Sequence, residues 1–332
     1  MSRCMPLSKE IPPMKDLTSD NITENVKILN NQTSSPRVRY VFDRLVSHVH
    51  DFVRETCLST EEWQAGIDFL TAAGQISNEL RSEMTLLSDT LGVSLLVDAI
   101  NHPRHGKATE GTVLGPFHTH DAPVAESGYV LHEDQEAAKL LVLCSVQDTS
   151  GEPVADVVCD VWEGDAYGFY DVQNPNRIRP DGRALLRTNK EGKFHFTAVV
   201  PVPYPIPMDG PVGKMLTLLK RHPNRPGHIH FMLRKAGYDN LITALYPRGD
   251  PYETSDPVFG VKESLVVDLG TVNDQISRAY NVPVGTKMLK YDFVLVPEQE
   301  ARELRAKRAE EAVKNLDFDV DLMDGLPVLA VD

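Results

Sequence analysis

The sequence contains little cysteine and no long hydrophobic run. Its four cysteines are Cys4, Cys57, Cys144 and Cys159, and none of them forms a Cys-x-x-Cys pair. Their spacing suggests no disulfide framework, so we expect reduced and mostly buried thiols. No stretch approaches the roughly eighteen consecutive apolar residues of a membrane-spanning helix, and the N-terminus lacks the apolar segment of an export signal. We therefore expect a cytoplasmic protein without a membrane span.

Positively charged residues are also fewer than negatively charged ones. The 332 residues include 34 Lys and Arg against 48 Asp and Glu, which gives a formal net charge of -14 at pH 7. A surface with this excess of negative charge repels nucleic acid and anionic membranes, and we exclude both as partners. With 41% hydrophobic residues, the chain is long enough for one large core, or for a main domain with a smaller one beside it.

The first third of the chain changes from polar to helical in character. Residues 1–35 are polar, and we predict a flexible N-terminal arm there. Residues 36–105 carry apolar side chains at intervals of three and four, beginning with Val38, Phe42 and Leu45, which predicts a helical domain. Two explanations of this apolar stripe remain open: it forms the core of a helix bundle, or it meets a second subunit.

The rest of the chain is rich in β-strand signals up to a charged final segment. Short apolar runs follow one another through residues 106–297, separated by Gly, Pro, Asp or Asn and without helices between them. This arrangement predicts a mainly antiparallel β-sandwich. Residues 298–332 begin with a stretch rich in Glu, Arg, Lys and Ala, which predicts a C-terminal helix followed by a tail. The fold class that we predict is therefore α+β.

A pair of histidines provides the first candidate for chemistry. His228 and His230 are two residues apart in a strand-like run, so both side chains leave the same face of the strand. Two imidazoles on a stiff strand form a preformed pair of metal ligands, while Ile229 points the other way into apolar packing. Arg225 lies just before the strand and places a fixed positive charge near any bound group. Taken alone, the pair is also explained as two hydrogen-bonded histidines with no metal.

A second His-x-His sequence competes with the first. His118 and His120 lie in a segment rich in Gly, Pro and His, and Pro123 follows closely. A loop of this kind does not hold alternate side chains on one face, so the two are weaker candidates for metal ligands.

Two loops of the β-rich region hold tyrosines in unusual settings. Tyr167 and Tyr170 lie in the loop 162–171, and Tyr204 stands among four prolines that restrict its backbone. A phenolate is a hard anionic ligand that favours Fe(III), and deprotonating a phenol of pKa about 10 requires a strong Lewis acid nearby. Each tyrosine alone is more simply a core or loop phenol. Their combination with the histidine pair and Arg225 indicates a metal site.

This combination resembles the intradiol ring-cleaving dioxygenases, in particular the branch with a helical N-terminal domain that cleaves catechol and hydroxyquinol. The resemblance spans residues 38–296. It is densest at four segments: 162–171, 204–207, 224–231 and 250–252. It implies an enzyme that uses Fe(3+) and O2 to open an aromatic diol to a dicarboxylate.

The resemblance also implies roles for individual residues. The implied ferric ligands are Tyr170, Tyr204, His228 and His230. Tyr167 competes for the first position, and Tyr170 is preferred because its distance from Trp162 matches that of the family's ligand. Tyr204 would leave the iron when the diol binds and would carry away its proton. Arg225 would stabilise negative charge on the ring.

Several positions resemble the hydroxyquinol branch more than the catechol branch. The matching pocket positions are Leu86, Asp89, Leu114, Gly115, Pro116, Phe117, Ile206, Pro207, Arg225 and Val258. The Asp89 carboxylate would accept a hydrogen bond from the third hydroxyl of hydroxyquinol, unless Asp89 is an exposed helix-end residue without a role. Ala244 departs from the glutamine of many catechol-cleaving relatives. The expected product is 3-hydroxy-cis,cis-muconate or its tautomer maleylacetate, and the alternative is conversion of catechol to cis,cis-muconate.

The family resemblance further implies a homodimer formed through the N-terminal helices, with a phospholipid held in a tunnel between them. Two hypotheses from other functional classes remain as alternatives. One is a zinc hydrolase built on His228 and His230, which requires a third His or carboxylate ligand. The other is a non-catalytic β-sandwich carrier, which requires no metal.

Overall fold

The computed structural model describes residues 14–103, 106–132, 134, 137–314, 316 and 319–329. The described residues fall into two compact units, one from Met1–Ile67 and Arg305–Asp332 and the other from Asp68–Leu304. The helices are α1 (Ile22–Asn30), α2 (Pro36–Thr56), α3 (Thr60–Ile76), α4 (Glu83–Thr90), α5 (Val93–Asn101), α6 (Pro211–Leu218), α7 (Asp274–Tyr280) and α8 (Glu298–Val313). None of the described helices is both long and apolar enough to cross a membrane.

Strands make up most of the second unit. They are β1 (Tyr129–Val130), β2 (Lys139–Asp148), β3 (Val158–Glu163), β4 (Arg183–Arg187), β5 (Lys193–Val199), β6 (Tyr204–Pro205), β7 (Asn224–Arg225), β8 (Ile229–Arg234), β9 (Leu241–Pro247), β10 (Val266–Val267), β11 (Gly270–Thr271), β12 (Lys287–Leu295), β13 (Val320–Met323) and β14 (Leu326–Leu329). The last two belong to the first unit.

The first unit contains structure where the sequence predicted a flexible arm and a tail. The segment Ile22–Asn30 is the helix α1, so the prediction of an arm without structure is wrong there. A helix this short is marginal by itself, and tertiary contacts stabilise it. The Asn30 side chain donates to Asp43 of α2 at 2.8 Å. Near the C-terminus, β13 and β14 pair as an antiparallel hairpin, and the Pro327 carbonyl accepts a hydrogen bond from Arg37.

Helix α2 begins where the sequence predicts it. Pro36 occupies the first turn, where a missing N–H costs nothing, and the Ser35 hydroxyl accepts a hydrogen bond from the Val38 N–H. The helix ends at Cys57, whose φ of +47° places it in the left-handed region that terminates helices. Cys144 and Cys159 are free and buried, Cys57 is free and exposed, and Cys4 lies outside the described residues.

Two five-stranded sheets form the sandwich of the second unit. Their strand orders are β1-β5-β2-β12-β11 and β10-β9-β8-β3-β4. Most neighbouring strands are antiparallel, but the pairs β1–β5, β2–β12 and β9–β10 are parallel, so both sheets are mixed. The predicted α+β class, with N-terminal helices and a C-terminal helix, is confirmed. The prediction of no helices among the strands is wrong, because α6 lies between β6 and β7 and α7 lies between β11 and β12.

The core of the sandwich follows from residue alternation along the strands. In β2, Val142 and Cys144 point inward, and in β8 Ile229, Phe231 and Leu233 do the same. All five belong to one cluster of buried side chains. Burying each large apolar side chain stabilises the fold by about 1.5–3 kcal/mol. This packing fixes β8, and with it the face from which His230 projects.

Candidate active site

The two histidines lie at the start of strand β8. His230 is the second residue of the strand, and His228 lies one position before its first residue. Their Nε2 atoms are 2.9 Å apart, and Ile229 between them is fully buried in the sandwich core. The alternation predicted from the sequence therefore places both imidazoles on the same side. His228 Nδ1 lies 2.7 Å from the Pro226 carbonyl, so it carries the proton, and the Nε2 lone pair faces the other candidate ligands.

A short ladder places Tyr204 beside Arg225. Strands β6 and β7 are antiparallel, with Tyr204 directly opposite Arg225. The loop carrying Tyr170 approaches through Gly168, whose φ is +85°; a Cβ atom there would lie 2.6 Å from the Tyr204 Cβ. Only glycine tolerates both that conformation and that approach.

The four side chains named as ligand candidates converge. The Tyr170 and Tyr204 hydroxyl oxygens are 3.4 Å apart, and the Tyr204 oxygen lies 3.5 Å from His228 Nε2. All four residues are between 1% and 4% exposed. Tyr167, the competitor for the first position, is 77% exposed. Burial and convergence favour Tyr170 over Tyr167.

Burial sets the protonation states of these four groups. Burial lowers the pKa of His228 to about 3, with the Arg225 charge acting in the same direction. Burial and the neighbouring His228 lower the pKa of His230 well below its usual range. Burial raises the pKa of both tyrosines, and the Tyr204 phenol raises that of Tyr170 further. At neutral pH the site therefore presents two neutral imidazoles and two protonated phenols.

Arg225 is held by two residues that the sequence analysis did not single out. Its Nε and Nη2 atoms donate to the two oxygens of Asp256 at 3.0 Å and 3.1 Å, and Nη2 also lies 3.3 Å from the Tyr246 hydroxyl. Nη1 is left to face the site, 3.1 Å from His228 Nε2 and 3.4 Å from the Tyr204 oxygen. Although burial alone would lower the pKa of Arg225, Asp256 outweighs it and raises the value. The guanidinium is therefore a permanent, oriented charge.

Comparison with known proteins identifies the family. Residues 113–297 match the family model described as dioxygenase, and residues 35–109 match the one described as catechol dioxygenase N terminus. The chain is 55% identical to the intradiol ring-cleavage dioxygenase hqdA of Aspergillus niger, over 98% of this chain and 99% of that protein. The chain belongs to the intradiol ring-cleavage dioxygenases.

Other relatives agree with this assignment. The 6-chlorohydroxyquinol 1,2-dioxygenase of Cupriavidus pinatubonensis is 41% identical, over 86% of this chain and 99% of that protein. The crystal structure of a hydroxyquinol 1,2-dioxygenase from Pseudomonas putida DLL-E4 superimposes with a TM-score of 0.76 at 41% identity, covering 84% of this chain and 99% of that one.

Aromatic packing supports two of the candidate ligands of this dioxygenase. Trp162 lies directly across the β3–β8 pair from His230, and the two rings stack at 4.7 Å with an interplanar angle of 7°. Phe117 stacks on Tyr170 at 4.6 Å. His118, the alternative ligand candidate, instead places its Nε2 3.0 Å from the Asp160 carboxylate and packs edge-on against Trp162. The structure therefore places His118 behind the stacked rings, and His120 is exposed.

The predicted pocket residues lie on several separate elements. Leu86 of α4 packs with Ile206 in one buried cluster, and Leu114 packs against another that contains Phe117. At Gly115 (φ +74°), a Cβ atom would lie 3.5 Å from His230 Nε2, so the backbone itself passes the site. Pro116 and Pro207 are partly exposed, and Val258 is buried.

Two further positions that the sequence analysis discussed, Asp89 and Ala244, are both buried. Asp89 is only 2% exposed, so the alternative of an exposed helix-end residue is wrong. Its Oδ1 atom is buried without a hydrogen-bond partner. Ala244 lies directly across the β8–β9 pair from His230 and is fully buried in the sandwich core. Alanine there leaves the position next to this imidazole without a polar group.

The side chains fit a hard trivalent metal ion. Two buried phenols and two neutral imidazoles face one another, and the Nε2 atoms of His228 and His230 are 2.9 Å apart. Ionised phenols would supply the hard oxygen ligands that Fe(III) prefers. Among the described residues, no group of three or more His, Cys, Asp or Glu side chains is arranged to hold a metal ion. The donor set required by a zinc hydrolase is thus missing from the described part of the chain.

Proposed function

We propose that this dioxygenase holds Fe(III) through Tyr170, Tyr204, His228 and His230 and uses O2 to cleave hydroxyquinol (1,2,4-trihydroxybenzene) between its adjacent hydroxyls. The product would be 3-hydroxy-cis,cis-muconate or its tautomer maleylacetate, with both oxygen atoms of O2 retained. The observation that supports this most is the convergence of two buried phenols on two neutral imidazoles. Catechol, with cis,cis-muconate as product, is the alternative substrate within the same reaction class.

The metal would act as a Lewis acid that favours the ionised forms of the phenols and of the diol. The residues of the chain would handle the protons and charge. Tyr204 lies between Tyr170, His228 and Arg225, and its phenolate would accept a proton from a diol hydroxyl. Arg225 Nη1 would stabilise the negative charge that this proton transfer leaves on the ring. Because Asp256 fixes the guanidinium beforehand, no reorganisation is needed at the moment of reaction.

Asp89 supports hydroxyquinol over catechol. Burial raises the pKa of Asp89, while Ser94 and the Arg225 charge act in the opposite direction. A hydroxyl at position 4 of the ring would donate to the unpartnered Oδ1 atom and stabilise the carboxylate. Catechol has no such hydroxyl, so the acceptor would stay unpaired, at a cost of about 1–3 kcal/mol. The hydroxyquinol and 6-chlorohydroxyquinol dioxygenases among the relatives agree with this choice.

A homodimer formed through the N-terminal helices is part of the same proposal. Several apolar side chains of α2 are about half exposed, including Phe42, Leu45 and Phe52. An exposed apolar stripe of this kind is typical of a surface that another molecule covers. The proposed cover is a second copy of the chain together with a phospholipid. Sedimentation velocity of the purified protein tests the dimer, and mass spectrometry of an organic extract tests the lipid.

The visible spectrum of the purified protein tests the iron assignment. We expect a red tyrosinate-to-Fe(III) charge-transfer band that shifts when hydroxyquinol is added without oxygen. Admission of O2 should then consume one equivalent per diol. A protein that remains colourless after ferric reconstitution would contradict the ligand assignment and favour the zinc or carrier alternatives. A coloured protein whose visible band shifts with catechol but not with hydroxyquinol would support the iron site and contradict hydroxyquinol as the substrate.

A further inference from the structure

Arg221 connects two segments that carry predicted pocket residues, the end of α4 with Asp89 and the loop with Val258. It follows helix α6 after Lys220, which turns the chain with a φ of +55°. The Arg221 N–H donates to the Leu216 carbonyl at 2.9 Å, so the backbone of the arginine is tied to the end of the helix. The side chain then reaches away from α6, and its guanidinium lies 5.3 Å from the centre of the Phe259 ring.

The guanidinium donates to one carbonyl on each of these two segments. Nη1 donates to the Thr90 carbonyl at 2.8 Å, and Nη2 donates to the Pro257 carbonyl at 2.7 Å. Thr90 is the last residue of α4 and directly follows Asp89. Pro257 directly precedes Val258, which is also among the predicted pocket residues. A single planar group thereby fixes the distance between the backbones that carry Asp89 and Val258.

The contact gives the last carbonyl of α4 a hydrogen-bond partner. The final carbonyls of a helix have no partner within the helix, and a positive side chain there also interacts favourably with the helix dipole. Helix α4 has only 8 residues, so its own hydrogen bonds hold it weakly. Contacts at the C-terminal end of α4 therefore help to hold the backbone of Asp89, and the contact from Arg221 also reaches the Pro257 backbone.

We propose that Arg221 is a positioning residue for diol selectivity: by holding the last turn of α4 against the Val258 loop, it aims Asp89 at the third hydroxyl of the substrate. This inference rests on the proposed role of Asp89. Arg221 acts on the pocket wall and takes no part in metal binding or proton transfer. Its removal should therefore lower the preference for hydroxyquinol more than it lowers the turnover of catechol.

Arg81 supplies a matched control at the other end of α4. Its guanidinium donates to Glu83, the first residue of the helix, at 2.9 Å and to Asp209 at 2.8 Å. Arg81→Gln therefore loosens the same short helix far from Asp89. Arg221→Gln and Arg81→Gln would be compared as iron-loaded full-length proteins of equal iron content. Arg221→Lys, which keeps the charge and one of the two hydrogen bonds, should recover part of the loss.

The measured quantity is the ratio of kcat/KM for hydroxyquinol to kcat/KM for catechol. We expect Arg221→Gln to lower this ratio about tenfold, with kcat for catechol changed less than about twofold, and Arg81→Gln to leave the ratio unchanged. The dissociation constant of hydroxyquinol, measured without oxygen from the shift in the visible band, should rise with the loss of selectivity. Equal losses of selectivity in both variants would mean a general loosening of α4 and would overturn the proposal.

A double variant separates this inference from the proposed function. If Arg221 acts through Asp89, then Asp89→Asn lowers the ratio and Arg221→Gln adds nothing further in the Asp89→Asn background. A ratio that falls in Asp89→Asn but not in Arg221→Gln would refute the role of Arg221 and leave that of Asp89 intact. Additive losses would also refute it. If the wild-type protein cleaves neither diol, amide hydrogen exchange still tests the role of Arg221. Exchange at residues 88–92 that is no faster in Arg221→Gln than in Arg81→Gln would refute the positioning role of Arg221.

Discussion

Replacing Asp256 with Asn tests how strongly the buried charge of Arg225 depends on its partner. The Asp256 carboxylate accepts two bonds from Arg225 and two more from the Val258 and Gly260 N–H groups. Asparagine keeps the volume and one oxygen but turns a donor toward Nη2 of the guanidinium. The positive charge then stays buried without a counter-charge. Breaking a buried ion pair by removing one partner costs about 3–5 kcal/mol, and we expect that loss in the free energy of unfolding.

The assay is equilibrium unfolding of the iron-free protein in guanidinium chloride, so that metal binding makes no contribution. Arg225→Gln combined with Asp256→Asn removes both charges and should recover most of the loss. A decrease below about 1 kcal/mol in Asp256→Asn alone would refute the reasoning, because exposed pairs contribute that little. A double variant as unstable as Asp256→Asn would equally refute it.

The pH dependence of the free energy of unfolding tests whether the contribution of Asp256 is electrostatic. Burial alone would raise the pKa of Asp256, but Arg225 outweighs it and lowers the value. A carboxyl whose pKa is lowered on folding stabilises the protein above its unfolded pKa of about 3.9, and the contribution disappears as the pH falls through the folded value. Wild type and Asp256→Asn should therefore differ most near neutral pH and converge in acid. A constant difference across that range would contradict the electrostatic explanation.

Three further predictions concern other parts of the site and its surroundings. His228→Ala removes one of four proposed ligands and should abolish iron retention, and full iron occupancy by elemental analysis would contradict the assignment. Tyr204→Phe removes the proposed ligand that would leave the iron when the diol binds, so, unlike His228→Ala, it should still bind iron. Its turnover should fall by about a hundredfold or more, because the proton acceptor is gone; near-normal oxygen consumption would exclude that role. Burial alone would lower the pKa of His132, but the Asp181 and Glu163 carboxylates raise it to about 10. The stabilisation that His132 provides should therefore be complete below pH about 6.5 and lost as the pH rises through about 10. We expect His132→Gln to lower the free energy of unfolding at pH 6 by about 1–3 kcal/mol and to approach the wild-type value above pH 10.

The elements that the sequence predicted well are those with strong local periodicity. The stripe beginning at Val38 gave helix α2, and the run from His228 gave strand β8 within one residue. Alternation along β8 also placed Ile229 in the core and both imidazoles on one side. The four candidate ligands were grouped by the resemblance to the intradiol dioxygenases. They converge in the structure because the loop after β3 approaches β6 and the start of β8.

The residues that the sequence could not reveal owe their role to long-range packing. Asp256 is one of 48 acidic residues, and nothing in its neighbourhood distinguishes it before the fold brings it to Arg225. A buried arginine requires a carboxylate, so the existence of a partner was foreseeable but its position was not. The same reason accounts for α1, a short helix in a polar segment whose stabilising contact lies on α2.

The net charge of the site depends on the ion pair between Arg225 and Asp256. Arg225 and Asp256 cancel, and the neutral imidazoles add nothing, so in the absence of metal these six residues carry no formal charge at neutral pH. The two phenols are the groups among them whose ionisation a bound Lewis acid would favour. If both ionised, the site would supply two negative charges, which would suit a trivalent ion better than a divalent ion. Without Asp256, the unbalanced guanidinium would oppose the binding of any cation at this place. We therefore expect Asp256 to stabilise the fold and to set the charge that the proposed ferric site requires, although it lies outside the set of proposed ligands.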